Sequence, residues 1–157
     1  MSDVTLDFRE ITRDHLDDLF AIRLTDAQDK LIDPPVYTLA QAAYEDGIYL
    51  RGLWLGTRAI GLLAMIDPQR YLDPEDIDDP DAAYLWRISI DKEAQGQGHG
   101  RAAIAHCIEV AKGWGLPRLA LGVHDKPESA LGFYEKLGFQ RTGAVDEDGE
   151  VAMVLTL

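Results

Sequence analysis

The chain has 157 residues, with 15 Lys plus Arg against 28 Asp plus Glu and a formal net charge of −13. At this length a single domain over residues 1–157, with a core that needs neither disulfide nor structural metal, is expected. The 46% hydrophobic and 27% charged composition describes a folded rather than a disordered chain, and the acid excess argues against nucleic acid and anionic membrane as partners and favours cationic ligands.

The opening MSDVTLDFRE lacks the basic start and apolar stretch of a secretory signal, so a cytoplasmic location is expected. Residues 4–11 alternate apolar and polar, as a half-buried strand does. Residues 14–24 place Leu16, Leu19, Phe20, Ile22 and Leu24 about one turn apart, which predicts a helix with Asp14 as its cap. Asp33-Pro34-Pro35 breaks the chain, and a second helix is expected over 38–46, ended by Gly47. Two apolar runs, 48–55 and 59–66, flank Gly56-Thr57-Arg58 and read as a β-hairpin. The loop 68–81 holds six acids and no base within 73–81. A fourth strand follows at 83–90, a glycine-rich turn at 95–100, and a helix over 101–114 with Ile104, Cys107, Ile108 and Ala111 on one face. Cys107, the lone cysteine, is then a core residue in a reducing compartment. A fifth strand is expected at 118–123. Asp125 and Glu128 predict a capping box for a helix that carries Ala130, Phe133, Tyr134 and Leu137 and stops at Gly138. A last hairpin pairs 139–145 with 151–157. The class is α/β (α+β): a mixed, mostly antiparallel sheet of about seven strands flanked by four helices, with one βαβ crossover.

Gln95-Gly96-Gln97-Gly98-His99-Gly100-Arg101 lies between a predicted strand and a predicted helix. Alternate glycines let successive N–H groups converge on one anion, and the helix N-terminus adds unpaired donors and partial positive charge. The spacing fits neither a dinucleotide fingerprint, which would need glycine where Arg101 stands, nor a phosphate-binding loop ending in G-K-[ST]. The four histidines show no metal-ligand spacing, so no metal is expected.

Q-G-Q-G-H-G resembles the [QR]-x-x-G-x-[GA] cofactor loop of the GNAT superfamily of acetyl-CoA-dependent N-acetyltransferases. Thirty residues on, Ala130 to Phe139 (ALGFYEKLGF) resembles that superfamily's A-x-x-[FL]-Y-E-K-L-G-F helix. L-W-R-I-S-I-D and the F-Y-E-K-L-G-F helix are most similar to bacterial polyamine (spermine/spermidine) acetyltransferases. The resemblance implies the GNAT fold, with acetyl-CoA as co-substrate. It implies that the main chain of Ile88, Ser89 and Ile90 pairs with the pantetheine arm, with the Ile90 N–H on the thioester carbonyl. Gln95, Gly96, Gln97, Gly98, His99, Gly100 and Arg101 would hold the pyrophosphate, and Ser129 would join the cofactor contacts. Tyr134 would be the catalytic acid that protonates the departing thiolate. Two positions depart from the pattern: Pro127 replaces a cofactor-contacting Asn, and Trp86 replaces a strand-four glutamate base. The base is therefore unassigned.

Trp86 and Glu45 are the expected acceptor-binding residues. Residues 1–86 carry 7 basic and 18 acidic side chains, a net of −11, whereas residues 87–141 carry 8 and 6, a net of +2. That split suits a polyanionic coenzyme on one side and a small cationic amine on the other. The expected reaction is acetylation of a primary amine of a polycation such as spermidine or spermine. Two alternatives stay open: another amine (a protein N-terminus, a lysine or an antibiotic), and a non-catalytic acyl-CoA- or polyamine-binding sensor. Such folds often pair, which leaves a homodimer open as well.

Overall fold

A computed structural model describes residues 5–71, 73 and 77–157. The expected strand residue Val4 and part of the acidic loop, residues 74–76, lie outside them. Seven strands form one sheet: β1 (Leu6–Arg9), β2 (Ile48–Leu55), β3 (Arg58–Ile66), β4 (Ala82–Ile90), β5 (Arg118–His124), β6 (Gln140–Val145) and β7 (Glu150–Thr156). Their spatial order is β1-β2-β3-β4-β5-β7-β6. Every neighbouring pair is antiparallel except β4 and β5. That parallel pair is the crossover expected around the long helix that follows the glycine turn.

Five helices are present among the described residues, not four: α1 (Leu16–Phe20), α2 (Asp26–Asp29), α3 (Pro35–Ala42), α4 (His99–Gly113) and α5 (Leu131–Lys136). The expected helix 14–24 stops at Phe20 because the next turn is claimed by β4's exit. The Arg23 N–H donates to the Asp91 carboxylate at 2.9 Å, and the Arg23 carbonyl accepts from the Lys92 N–H at 2.7 Å. A residue so engaged cannot also serve the helix ladder. Asp14 does not cap; the Thr12 N–H donates to His15 Nδ1 instead. The helix α3 starts three residues earlier than expected, because Pro35 occupies its first position, where proline's missing N–H costs nothing and its fixed φ suits the helix.

The capping box at Asp125 and Glu128 is also absent. Lys126 precedes Pro127, which disfavours helical geometry there, so α5 begins only at Leu131, whose N–H donates to Ser129 Oγ. Asp125 instead pairs with Arg141 at 2.9 Å.

Alternation along the strands splits the apolar residues between two layers. Leu53, Leu63, Met65, Leu85, Leu119, Leu121 and Met153 face α4 and α5, whose Ile104, Cys107, Ala111, Leu131 and Tyr134 complete the main core. On the other face Trp54 packs with Leu19 and Ile22 beneath α1. Cys107 is fully buried, as expected, and burial pushes its thiol up to about 12.

Candidate functional site

The strands β4 and β5 pair only from Ala82↔Arg118 to Leu85↔Leu121. Beyond that point β4 continues along β3 to Ile90, while β5 continues along β7 to His124. The divergence has a local cause. Opposite Ala64 and Met65, β4 carries one extra residue, Trp86, and a bulge of this kind bends its strand and sharpens its twist. The sheet thus opens at Trp86 and Gly122 into a cleft of about 1500 Å³.

The bulge also sets which main-chain groups face the gap. The Asp91 N–H donates to the Ile60 carbonyl at 2.7 Å. Alternation in an antiparallel ladder then turns the main chain of Ser89 and Arg87 toward β3, and that of Ile88 and Ile90 toward the cleft side. Ser89 is thereby corrected: its main chain serves the sheet and its side chain is buried. The Ile90 carbonyl accepts from Gln95 Nε2 at 2.8 Å, leaving the Ile90 N–H and both groups of Ile88 along the edge.

Gln95 opens the glycine turn beyond the end of β4. Gly96 and Gly98 have φ of +76° and +86°, a region that disfavours any side chain. A Cβ at either position would meet nothing within 4 Å, so the main chain there is open to a close approach. Gly98 caps α4, and the first helical bond near it runs from the Ala102 N–H to the Gly98 carbonyl. The N–H groups of His99, Gly100 and Arg101 are therefore the unpaired donors of the helix start. His99 Nε2 is buried with no hydrogen-bond partner among the described residues. This donor set fits a phosphate group.

Tyr134, on α5, lines the cleft together with Trp86, Ile88 and Ser129. Its side chain is 7% exposed, and burial pushes its phenol far above the ordinary value. Glu45 does not line the cleft: α3 ends at Ala42, and Glu45 is exposed in the segment that follows.

Carboxylates reach the cleft from elsewhere. Asp29 ends α2, Asp33 precedes α3, Asp78 and Asp79 come from the loop before β4, and Asp146, Asp148 and Glu150 come from the last hairpin. Against them the lining holds two bases, Lys30 and Arg87. Arg87 is engaged by Asp33 at 2.7 Å and donates to Thr38 Oγ1 and Gln41 Oε1, while its guanidinium lies over the Trp86 ring. It ties β4 to α3. The Gln28 and Gln95 side-chain amides exchange hydrogen bonds, so α2 is tied to the glycine turn.

Sequence reasoning missed Glu150, His124 and Tyr84, which meet over Gly122. A Cβ on Gly122 would stand 3.0 Å from Glu150 Oε2 and 3.1 Å from the Tyr84 hydroxyl. A side chain there would press on the ends of Glu150 and Tyr84, which would have to give by a few tenths of an ångström. His124 Nε2 lies 3.8 Å from Glu150 Oε1. Burial, then Asp146, raises the Glu150 carboxyl above its ordinary value, with His124 opposing. Burial and the same carboxylates push the Tyr84 phenol up to about 12. The only sequence signal was an acid flanking the D-E-D-G turn. Among the described residues no three His, Cys, Asp or Glu side chains converge as metal ligands, and no helix is long and apolar enough to cross a membrane.

Residues 8–139 match the model of the acetyltransferase (GNAT) family. Among curated relatives, the peptidyl-lysine N-acetyltransferase YjaB of Escherichia coli is 37% identical over 76 residues, covering 47% of this chain. The chain spans about half the length of that relative, 48%. The probable spermine N(1)-acetyltransferase of Bacillus subtilis subsp. natto is 32% identical over 117 residues, 71% of this chain and 68% of its own. The PaiA N-acetyltransferase of Thermoplasma acidophilum, solved in complex with coenzyme A, superposes with a TM-score of 0.68 at 14% identity, covering 98% of this chain and 99% of that one.

Proposed function

Because the chain belongs to the acetyltransferase (GNAT) family, we propose that it moves an acetyl group from acetyl-CoA to a primary amine of a small polycation such as spermidine or spermine. One observation carries the reading: the open edge of β4 leads directly into a helix start with unpaired donors. On this reading the edge at Ile88 and Ile90 takes the pantetheine amides as an added strand would. The donors of His99, Gly100 and Arg101 take the pyrophosphate. The Ile90 N–H polarises the thioester carbonyl, and Ser129 lies beside the same arm.

The amine arrives as an ammonium, with a pKa near ~10, and must lose a proton before its lone pair can attack. Holding amine and thioester together supplies much of the acceleration. As the C–N bond forms and the C–S bond breaks, Tyr134 donates its proton to sulfur. Burial holds the proton on the phenol before the step, and the thiolate charge that develops on sulfur draws it off.

The acceptor class rests on charge. The cleft's acceptor side gathers carboxylates from four separate segments, which enriches polycations locally. The test is thiol release from acetyl-CoA across spermidine, spermine, monoamines and a lysine peptide, at several salt concentrations. The Debye length falls from about 30 Å at 0.01 M to about 3 Å at 1 M. The kcat/KM for spermidine should exceed that for a monoamine at low salt and converge on it at high salt, with kcat much less affected. Equal values, flat across the series, would refute the cationic acceptor. Preference for the lysine peptide would favour the substrate class named for the Escherichia coli relative.

A further inference from the structure

We propose that Glu150 is the group that takes the proton from the attacking ammonium, at the vertex where β4 and β5 part. The inference rests on the acetyltransferase reading and supplies the base that Trp86, standing at the strand-four position, cannot.

The geometry brings the carboxylate to the reacting region from an unexpected direction. Glu150 is the first residue of β7, and it pairs with His124 at the end of β5. Its side chain turns back over Gly122, where Oε2 would stand 3.0 Å from a Cβ. Gly122 follows Leu121, the last β5 residue paired to β4, and so lies at the point of the cleft. Along β4 the edge residue Ile88 is two positions beyond the bulge at Trp86, roughly 7 Å of strand. The Ile90 N–H that takes the thioester carbonyl is two positions further, roughly 13 Å from the bulge, so the proton passes from the amine to the carboxylate through a short chain of waters in the cleft.

The surroundings also suit a base. Glu150 is half-buried and has no arginine or lysine partner among its ion pairs. The charged and titratable groups around it are His124 from β5, Tyr84 from β4, and Asp146 and Asp148 from the hairpin turn. The Glu150 N–H donates to Asp146 Oδ1 at 2.9 Å, which fixes the turn and the carboxylate's starting position. Burial and Asp146 raise its proton affinity, which brings it closer to the working pH of a general base.

The protons balance. An ammonium and a thioester become an amide, a thiol and one released proton. Two protons therefore leave nitrogen while one joins sulfur. Glu150 takes the first, before the C–N bond forms, and passes it to solvent. The second restores Tyr134 after it has protonated sulfur.

The test is Glu150→Gln, which keeps the shape and removes the titrating group. With spermidine at pH 7 its kcat should fall by about 10² or more, the usual range for a positioned base. The deficit should close toward pH 10, where the amine is already neutral. It should also be small at pH 7 with 2,2,2-trifluoroethylamine, whose fluorines leave the nitrogen largely neutral, and large with ethylamine. Glu150→Asp should restore part of the rate and keep the wild-type acid limb, and acetyl-CoA affinity by calorimetry should be unchanged in both variants. A deficit equal at every pH and for both probe amines would mean that Glu150 only shapes the cleft, and overturns the proposal. So would wild-type turnover in Glu150→Gln. A wild-type chain that binds acetyl-CoA yet releases no thiol with any amine defeats the acetyltransferase reading itself, a failure visible before any variant is made.

Discussion

Gly98→Val tests the cofactor cradle most directly, because its two effects can be calculated separately. Gly98 has φ of +86°, and a side chain in that left-handed region costs roughly 1–2 kcal/mol. For a chain of this size each kcal/mol lowers Tm by about 2–4 °C, so the variant should melt cooperatively within about 10 °C of wild type. No atom lies within 4 Å of the new Cβ, so no steric collapse adds to that cost. The branched side chain instead occupies the space through which a phosphate approaches the N–H groups of His99, Gly100 and Arg101. A hydrogen bond to a charged group is worth about 1.5–3 kcal/mol, and losing two should raise the acetyl-CoA Kd by a factor of roughly 10² or more. Isothermal calorimetry measures the Kd and circular dichroism the melt. Gly113→Ala, in the last position of the same helix, where a Cβ also meets nothing, should leave Kd unchanged and serves as the control. A folded Gly98→Val chain that binds acetyl-CoA within about twofold of wild type would refute the cradle.

Tyr134→Phe should lower kcat by a factor of roughly 10² or more with little change in acetyl-CoA Kd, measured by thiol release and calorimetry; undiminished turnover with chemistry rate-limiting would leave Tyr134 a packing residue. His106, stacked on Phe8 and hydrogen-bonded to the Tyr49 hydroxyl at 2.8 Å, has its pKa lowered by burial and then by Arg51. The unfolded chain therefore binds more protons just below the free-histidine value of about 6.5, so His106's contribution to stability is present above that pH and is lost as pH falls through the lowered folded value. Urea midpoints from pH 7 to pH 5 should fall more steeply for wild type than for His106→Phe, and parallel curves would contradict this.

The glycine turn and helix start that the proposal gives to the cofactor were legible in the sequence because they are local. The end of β4, the glycine turn and the start of α4 occupy one stretch from Ile88 to Arg101, and α5 carries its own contiguous pattern. Each reads from neighbours a few residues apart. Periodicity also found the core face of α4, with Ile104, Cys107 and Ala111 buried. The misplaced ends have two kinds of cause: local prolines set the starts of α3 and α5, and a distant partner sets the end of the early helix. The early helix breaks because Asp91 and Lys92 take the main chain of Arg23, 68 residues away. Glu150 was invisible because its meeting with His124 depends on β7 inserting between β5 and β6, which no local pattern encodes. Glu45 stands outside the cleft lining because α3 ends at Ala42, three residues before it.

The acceptor side shows a different use of the same acid excess. Several segments that bring carboxylates to the cleft are pinned by arginines. Arg87 holds Asp33 and reaches α3. Arg118 makes a two-pronged contact with Asp79 at 2.8 and 3.0 Å and pairs with Asp81, and its hydrogen bond holds the Asp79 carboxyl below the usual range. Arg141 holds Asp125 just before the Lys126–Ser129 turn. Pairs as exposed as these contribute little to stability, about 0–1 kcal/mol each, but they fix where loops of like charge lie. Without them, the segments bearing Asp33, Asp79 and Asp125 would lose those anchors. With Arg87 engaged by Asp33, the carboxylates of the lining outnumber its bases and leave the cleft negative. On the proposed reading a polycation then enters a rim already held at its spacing, and does not have to gather the loops itself. On the proposed reading, acceptor choice in this chain rests on where the arginine-pinned acidic loops lie.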